Sequence, residues 1–473
     1  MKTKLPFLFV VLFLIFSFGS KAQFESINLN TYKLTDYRYK SLGTQVNASN
    51  SGSYYDGKNS NAGFVYKSSI NGTSVNGGCS LDYSFIHHSR DYYGYHSVNF
   101  GYASAYNDNS TNSTYRSPFG DSESSSESLS NSSTFRLDIY STNRFYLDSD
   151  FFWGVIINTN QSSADSYSRH ESDTYYSRQL ASFYESKNRG SLQFGKGRVE
   201  NVTDARLAIY ILDDLQKQGR LSRTPNEEEV FKFADFITKA LNDRVIDSRI
   251  KRIKEYVAID SFLMSNGLAD KTDGLYFGLI DDNWNYARSQ TWNTGSEWYV
   301  GVSPFLNYFN RFSKVVQGSV AKTRDELSEY GVSFNAGYRS TWISGLKWME
   351  GYSVEGSFNI LRYDTVGSYY GGYSNCKSIT GNARYYGSYI PSTRTIITAG
   401  AEIGFTKYIG EEVFDELVVN PRIFGECSYY FSEKFRLNAN ASLYYNIDKR
   451  YDPNYTGDRF GFSLGATLHY YIF

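Results

Sequence analysis

His87 and Ser89 are the two residues whose types and spacing point most directly to chemistry. Residues two apart in a strand project from the same face, so the imidazole could act as a base for a serine nucleophile. The alternative is that both are polar residues at a strand end, because two-residue motifs often arise by chance. We therefore treat the pair as a weak catalytic candidate and expect that the protein is not an enzyme.

Two acidic pairs form a second candidate set, Asp281-Asp282 and Glu411-Glu412. Paired carboxylates can bind a cation or carry out acid–base chemistry, although acidic residues in loops are more often simply solvated. The five histidines include no HExxH motif, and the three cysteines have no metal-binding spacing and allow at most one disulfide. We expect neither a metal nor a cofactor.

Six arginines on or beside predicted strands form a third set. They are Arg136, Arg288, Arg311, Arg339, Arg362 and Arg384. If the strands cross a membrane, charge on their lipid face costs a few kcal/mol, so these residues should point inward or lie near the rims. An inward set could line a pore and favour anions. The alternative is that the arginines pair with carboxylates and help to fill the interior.

The C-terminal segment indicates most clearly which elements position these residues. Residues 459–473 read RFGFSLGATLHYYIF, and every second residue from Phe460 to Ile472 is apolar or aromatic. This pattern, followed by a terminal aromatic, resembles the closing strand of Gram-negative outer-membrane β-barrels. The resemblance implies that Tyr471 and Phe473 form an assembly signal and that the barrel-assembly machinery is a partner. The segment departs from the family pattern in one respect, since Ile472 rather than Phe473 is in phase with the apolar face.

The N-terminal segment indicates export. Lys2 and Lys4 precede an apolar run, and Ser20-Lys21-Ala22 ends it, which is the layout of a cleaved signal peptide over residues 1–22. Downstream there is no run of eighteen apolar residues that would predict a membrane-spanning helix. An exported chain without such helices can enter a membrane only as a closed barrel, so we expect an outer-membrane location with lipid as a partner.

Composition agrees with that location. The 473 residues include Tyr 44 and Phe 34 but only Pro 7, and tyrosine favours membrane interfaces. The mean hydropathy of −0.47 is compatible with strands that are apolar on one face only. The net charge of −1 predicts no nucleic-acid partner.

Periodicity divides the mature chain into two parts of a barrel, residues 23–199 and 268–473, around a helical insert at residues 200–267. The first part is predicted to contain six strands. These are residues 62–71, 78–88, 95–106, 134–140, 145–158 and 179–188. The Ser-rich segment 108–133 is expected to be a mobile loop, and residues 159–175 a second long outer loop. The short link 141–144 is expected to be a periplasmic turn.

The insert has the 3.6-residue period of helices. Three amphipathic helices are predicted, with Gly219 ending the first. Thr224-Pro225 is expected to begin the second, with Thr224 and Glu227 forming its capping box. The third is expected to have its apolar, core-facing side at Ile246, Ile250, Ile253 and Val257 and to stop near Asn266-Gly267. An even number of preceding strands returns the chain to the periplasm, so we expect the insert there, with a possible periplasmic protein as partner.

The last part is predicted to contain nine strands. These are residues 275–288, 298–309, 331–342, 353–363, 378–389, 395–407, 418–431, 436–447 and 460–473. Because bacterial barrels use even numbers, a strand missed near residues 313–325 would give sixteen in all, within a range of 14 to 18. Residues 391–393 and 432–434 are expected to be short turns, and residues 369–375 and 449–458 outer loops.

Three functions are compatible with such a barrel. The first is a pore or export channel for a solute or polymer, gated or docked by the helical insert. The second is a non-transporting surface or scaffold barrel that binds an envelope or external ligand. The third is a barrel phospholipase, because His87 and Ser89 resemble the base and nucleophile of outer-membrane phospholipases. That family's Asn-Gly is replaced here by Arg90-Asp91.

Overall fold

The computed structural model describes most of the mature chain. The described residues are 24, 27–61, 64–117, 120–147, 150–173, 175–242, 248–269, 271–286, 291–366, 372–410, 417–432, 435–449 and 459–470. The predicted signal peptide and the predicted assembly signal at Tyr471 and Phe473 lie outside them.

The chain forms one antiparallel sheet of 14 strands, in which spatial order follows sequence order. The strands are β1 Tyr37–Asn61, β2 Phe64–His88, β3 Tyr92–Ser117, β4 Gly120–Tyr146, β5 Phe151–Ser172, β6 Tyr175–Asn201, β7 Asn293–Gln317, β8 Ser319–Ile343, β9 Trp348–Val366, β10 Gly372–Ser392, β11 Thr395–Gly410, β12 Leu417–Ser432, β13 Phe435–Lys449 and β14 Arg459–Tyr470. This up-and-down order is that of outer-membrane barrels.

The two faces of the sheet have opposite character. On the outer face, Phe334 pairs with Val302 and Phe358 and is 51% exposed. On the inner face, Ser303 and Ser333 pair with each other and are only 1% and 4% exposed. Apolar side chains face outward and polar side chains inward, the reverse of a water-soluble sheet and the arrangement that lipid requires.

β1 to β8 are much longer than a membrane requires. β1 and β7 each have 25 residues, whereas about 9–11 residues cross a bilayer. Their ends away from the helical insert are mostly polar and form what we call the distal hairpins, residues 47–74, 107–131, 162–182 and 310–328. By contrast β14 has 12 residues. The distal hairpins therefore stand beyond the apolar part of the sheet.

The helical insert lies between β6 and β7. Its helices are α1 Thr203–Lys217, α2 Glu227–Asn242, α3 Ser248–Ser265 and α4 Gly274–Tyr286. In the described part of the chain, none of the helices combines the length and the apolar character needed to span a bilayer.

The insert has a core of its own that continues into the strand ends. Most of α1 is buried all round, including Leu207, Ile209 and Leu212 at 0% exposure. This core includes Leu346 and Ile390, which lie at the ends of strands. A helix buried on every side must be packed on every side, so α1 is the centre of the insert.

The helix boundaries follow the expected capping residues with one shift. Gly219 and Gly267 have φ of 62°, the left-handed conformation typical of a residue just past a helix end. At the start of α2, the Glu229 N–H donates to the Asn226 side chain at 2.9 Å, and the Asn226 N–H donates to the Glu229 carboxylate at 2.9 Å. The capping box is thus formed by Asn226 and Glu229 and not by Thr224 and Glu227.

Six strands precede the insert, as predicted, but they are not the six that were predicted. The segments 62–71 and 78–88 are parts of the single strand β2, and β1 was missed altogether. The segment 108–133 is not a loop, because it forms the paired arms of β3 and β4. Residues 159–172 continue β5, and residues 141–144 lie within β4, whose link to β5 begins only after Tyr146.

The second part of the sheet has eight strands, so the total is 14 and the central value of sixteen was too high. The predicted strand at residues 275–288 is wrong, since these residues up to Tyr286 belong to α4. The segment 313–325 is the tip of the β7–β8 hairpin, with Gly318 at the turn. The other eight predicted strands coincide with β7 to β14.

The predicted links of the second part agree only partly. The turns at 391–393 and 432–434 fall where β10 and β12 end, but residues 372–375 belong to β10 rather than to an outer loop. Residues 450–458 lie outside the described residues.

β1 and β14 are the edge strands of this order. Within the described ranges, β1 is registered with β2 and β14 with β13, and no register joins the two edges. An edge in lipid would leave backbone groups without hydrogen-bond partners, which is the reason that membrane sheets close.

Candidate functional site

The helical insert covers the end of the sheet at which the odd-numbered strands begin. Apart from the insert, the links at this end have two to four residues, such as residues 344–347 between β8 and β9. At the opposite end, links of one or two residues join the strands of the four distal hairpins, and links of five, six and nine residues follow β9, β11 and β13. Link length therefore does not distinguish the two ends, and we call the end that the insert covers the mouth.

Arg206 of α1 ties the insert to the β8–β9 turn. Its Nε donates to the Leu346 carbonyl at 3.4 Å, and the Tyr210 hydroxyl donates to the same carbonyl at 3.1 Å. The guanidinium carbon lies 3.9 Å from the Trp292 ring centre. Burial lowers the pKa of Arg206, and the neighbouring Tyr210 opposes that effect. These contacts hold a buried cation between aromatic rings and backbone oxygen.

Arg394 ties the insert to a second turn, between β10 and β11. Its guanidinium forms an ion pair with Asp282 of α4 and lies 4.3 Å from the Tyr286 ring centre. The ring of Tyr286 in turn lies 5.8 Å from that of Tyr430 on β12. The hydrogen bond of Asp282 strengthens the ion pair and raises the pKa of Arg394.

The segment before β1 supports the insert from the other side. The Tyr32 hydroxyl donates to Asp235 of α2 at 2.9 Å, and burial together with that carboxylate raises the pKa of Tyr32. Asn30 donates to the Ile343 carbonyl at 3.3 Å, at the end of β8. The insert thus has contacts with the segment entering β1, with the β8–β9 and β10–β11 turns and with β12, so it lies across the mouth.

Above the insert, on the inner face, Glu297 bridges two arginines. Arg144 donates to both carboxylate oxygens at 2.9 and 3.0 Å, and Arg339 is paired with the same carboxylate at 2.9 Å. The Glu297 side chain is 1% exposed and that of Arg339 is 48% exposed. One carboxylate therefore joins β4, β7 and β8.

A second inner cluster surrounds Arg198 on β6. Arg198 lies 2.7 Å from the His88 imidazole and donates to the Ser89 carbonyl at 2.8 Å. Arg90 donates to Glu200 at 2.7 Å, and Arg198 is paired with the same carboxylate at 3.4 Å. This cluster joins the ends of β2 and β6, which the sheet order separates by three intervening strands.

The six predicted arginines occupy different places. Arg136, Arg339 and Arg384 are on the inner face, and Arg311 is opposite Asp325 in the β7–β8 register on the same side. Arg136 pairs with Asp138, and Arg384 lies 4.8 Å from the Phe424 ring. Arg288 lies outside the described residues.

Arg362 is the exception among them. The β8–β9 register places Arg362 opposite Tyr330, on the outer face and near the far end of β9, so it does not line the interior and has the second of the two expected positions, near a rim. Its guanidinium lies 5.9 Å from that ring. The outward position of Arg362 follows from alternation along β9, because Phe358, Ile360 and Arg362 are alternate residues and therefore lie on the same face.

The candidate catalytic pair is not assembled. Ser89 lies in the β2–β3 turn, where its hydroxyl accepts from the Tyr92 N–H at 3.1 Å. His87 is the second-last residue of β2, and its ring lies 5.1 Å from that of Tyr92. In the described part of the chain no hydrogen bond joins His87 to Ser89.

The acidic pairs and the cysteines also have local explanations. Asp281 is paired with Arg252, while Glu411-Glu412 lie outside the described residues. Cys79, Cys376 and Cys427 are free thiols. No group of three potential metal-ligating side chains occurs among the described residues.

Sequence reasoning missed Glu297, Arg144 and Arg198. Arg144 and Glu297 are 153 residues apart in sequence, and only the sheet register brings them together. Arg144 had been assigned to a turn. The residue that could have been noticed in the sequence is Glu297, a carboxylate directly before Trp298-Tyr299 and in the inward phase of β7.

The fold defines the class of protein as an outer-membrane β-barrel. The strand order, the apolar outer face and the polar inner face carry this assignment. No protein-family model matches the chain, and comparison with curated proteins finds no match.

Solved structures give distant likenesses to barrels. The β domain of the Bordetella autotransporter BrkA is 8% identical at a TM-score of 0.23, covering 73% of this chain and 91% of that chain. The monoaromatic hydrocarbon channel CymD is 11% identical at a TM-score of 0.27, covering 96% and 94%. The P. putida toluene transporter TodX is 8% identical at a TM-score of 0.23, covering 92% and 90%. Because these identities and TM-scores are low, the classification of this chain depends on its own strand order and on the character of the two faces of its sheet.

Proposed function

We propose that the protein passes a solute or polymer across the outer membrane and that the helical insert controls access at the mouth. The observation that carries this proposal is the position of the insert across the mouth, held at the β8–β9 turn by Arg206 and at the β10–β11 turn by Arg394. A scaffold that never opened would have no need of a folded domain at this position.

The inner face supports an anionic cargo. Near the mouth, Arg144, Arg339, Arg198 and Arg90 are paired with two carboxylates, Glu297 and Glu200, and a third carboxylate, Glu355, lies in the same inward phase. Excess positive charge along a polar passage favours anions. The pairs of Arg144 and Arg339 with Glu297 also link β4, β7 and β8. The same arginines would therefore both stabilise the sheet and favour anions.

Conductance in planar bilayers tests this proposal. The insert can be removed by replacing residues 203–286 with a short polar linker. Separately, Asp282→Asn weakens the ion pair between Asp282 and Arg394 that holds the insert at the β10–β11 turn. We expect small or intermittent currents from the intact protein, larger anion-selective currents after deletion, and more frequent opening in Asp282→Asn. Arg116→Gln, which removes an exposed ion pair in a distal hairpin, should not change the currents. No current in any properly folded variant would exclude the channel.

A second candidate function is binding of an envelope or external ligand by a barrel that transports nothing. The distal hairpins favour it, because strands such as β3 and β4 continue as paired polar arms far beyond the apolar band. In this case removal of residues 107–131 should abolish ligand binding, and neither the intact protein nor any variant should conduct.

An exposed apolar stripe on α3 supports a periplasmic protein as partner. Ile253, Val257 and Met264 are 58%, 60% and 50% exposed, and their spacing places them on one helix face. This also corrects the expectation that Ile253 and Val257 are buried, since Ile259 and Leu263 are the buried residues of α3. The barrel-assembly machinery and outer-membrane lipid remain proposed partners.

Catalysis is not part of the proposal. If the barrel acted on phospholipid, His87→Ala and Ser89→Ala would abolish the activity. Activity that survived both changes would exclude this pair as the catalytic base and nucleophile.

A further inference from the structure

The outward-facing positions of the distal hairpins divide into an acidic half and a basic half. Within the described strands, those of β3 to β5 carry six carboxylates and two arginines, which are Asp108, Asp121, Glu123, Glu127, Asp165, Glu171, Arg116 and Arg169. Those of β6 to β8 carry four cations and one carboxylate, which are Arg178, Lys314, Lys322, Arg324 and Glu326. The two halves have net charges of −4 and +3 and are adjacent. We call them together the charged flank.

Three cross-strand pairs within the charged flank join residues of like charge. They are Glu127 with Glu171, Arg169 with Arg178, and Lys314 with Lys322. Like charges directly opposite each other destabilise a sheet. Arg169 has an ion-pair partner on its own strand, whereas neither lysine forms an ion pair with any described residue. An opposing surface with the reverse charge pattern would relieve this repulsion.

A second copy of the chain presents that reverse pattern. Two copies in one membrane have the same orientation, so a two-fold axis that relates them lies along the membrane normal. Two surfaces that face each other across such an axis meet left half to right half, because the rotation exchanges the sides. With the axis between β5 and β6, the acidic half of each copy faces the basic half of the other. The distal hairpins are then at the same level in both copies.

The centre of the charged flank is suited to close contact. Tyr176 and Leu180, on the outward phase of β6 beside the boundary, are 38% and 45% exposed. An apolar centre inside a charged rim is the usual arrangement of a protein–protein interface. A soluble polyanion would contact the basic half alone and would be repelled by the acidic half, so the complete pattern favours a second copy.

We propose that two copies of the protein pair through the charged flank, about a two-fold axis that runs along the membrane normal between β5 and β6. The contact lies beyond the apolar part of the sheet, so its charges attract each other without being buried in lipid. It is independent of any passage through the barrel, because it uses the outward positions of the strands.

Charge reversal in the full chain, followed by sedimentation equilibrium in detergent, tests the pairing. R178E/K314E/K322E makes both halves acidic, and E123K/E127K/E171K makes both halves basic. We expect the wild type to form dimers and each variant alone to self-associate about tenfold more weakly. An equal mixture of the two variants should form dimers again, because each contact then joins opposite charges. The control K58E/K67E reverses a like-charge pair of β1 and β2, outside the charged flank, and should behave as the wild type.

A cross-link tests the axis without any charge change. In a background without the native cysteines, Leu180→Cys should form a disulfide with its own copy, because a residue beside a two-fold axis meets its equivalent. Thr73→Cys, on the outward phase of β2, should not. A monomeric wild type, or a mixture of the two triple variants that does not pair, would exclude the proposal. Equal weakening by K58E/K67E would show nonspecific attraction, and a monomeric wild type that retains heparin would assign the basic half to a polyanion instead.

Discussion

Arg394 and Asp282 form an ion pair that joins the β10–β11 turn to the last helix of the insert, across 112 residues of sequence. Both side chains are partly exposed, at 38% and 39%, so the pair contributes little to global stability, about 0.5–1 kcal/mol. Its importance is in its position, because it is one of the few connections between the insert and the far side of the mouth.

The first prediction concerns this connection. Arg394→Gln should increase the rate of chymotryptic cleavage within α4, which contains Tyr276, Phe277 and Trp284, about two- to fivefold, the effect expected from losing about 0.5–1 kcal/mol locally. The charge swap R394D/D282R should restore much of the protection. If neither variant differs from the wild type in cleavage rate, the ion pair does not hold the insert in place.

The second prediction concerns the bridging carboxylate on the inner face. Glu297→Gln leaves Arg144 and Arg339 close together without their shared counter-charge, and we expect a loss of about 3 kcal/mol in the free energy of unfolding. Denaturant unfolding in detergent measures this loss. Glu326→Gln removes a carboxylate from the exposed pair with Arg324 and should cost less than about 1 kcal/mol.

The third prediction concerns the buried cation of α1. Arg206→Lys keeps the charge but loses the planar contact with Trp292 and the fixed hydrogen bond to Leu346, so we expect a lower melting temperature of the insert. A loss of about 2 kcal/mol is expected for a buried, stacked guanidinium. Lys232→Gln on the exposed surface of α2 is the control. Equal melting of R206K and wild type would contradict this reading.

The fourth prediction concerns pH and the capping box of α2. The Arg223 side chain and the Asn226 N–H lower the pKa of Glu229 to about 2. A lowered carboxylate pKa adds stability above the unfolded pKa of about 4.3, and that stability is lost as pH falls toward 2. The thermal stability of the insert should fall between pH 5 and pH 2, and less steeply in Glu229→Gln. A pH profile identical in the two proteins would exclude Glu229 as the source.

The fifth prediction concerns the sheet edges. If β1 and β14 close the barrel, Ser41→Cys should form a disulfide with Ser463→Cys or Thr467→Cys in a background without the native cysteines. These residues share the inner phase of the two edge strands. Ser41→Cys with Ser388→Cys, on β10, is the matched control and should not cross-link. Failure of both edge pairs would indicate that the edges do not meet in these registers.

The sequence predicts well those strands that alternate strongly. β14 follows from the alternation between Phe460 and Tyr470, and the same pattern locates β7 to β13. It fails for β1 and for residues 108–133, where Ser, Asn and Gly provide no apolar period. There the strand is formed through its register with neighbours, which local composition does not encode.

The helices show a similar limit. α1 and α2 follow from their periodicity, whereas α4, with the sequence GLYFGLIDDNWNY, has a short apolar run that is equally compatible with a strand. The inner clusters could not be predicted, because Arg144 and Glu297, or His88 and Arg198, become neighbours only after the sheet has formed. The inward phase of Arg339 could be predicted, but its partner could not.

The strands differ in length around the sheet, and this difference determines the shape of the edge opposite the insert. β7 has 25 residues, whereas β11 and β12 have only 16 residues each. At about 3.3 Å per residue, one half of the wall rises roughly 20–30 Å higher than the other. The edge of the sheet opposite the insert is therefore oblique, with the ends of β1 to β8 standing higher than those of β11 and β12.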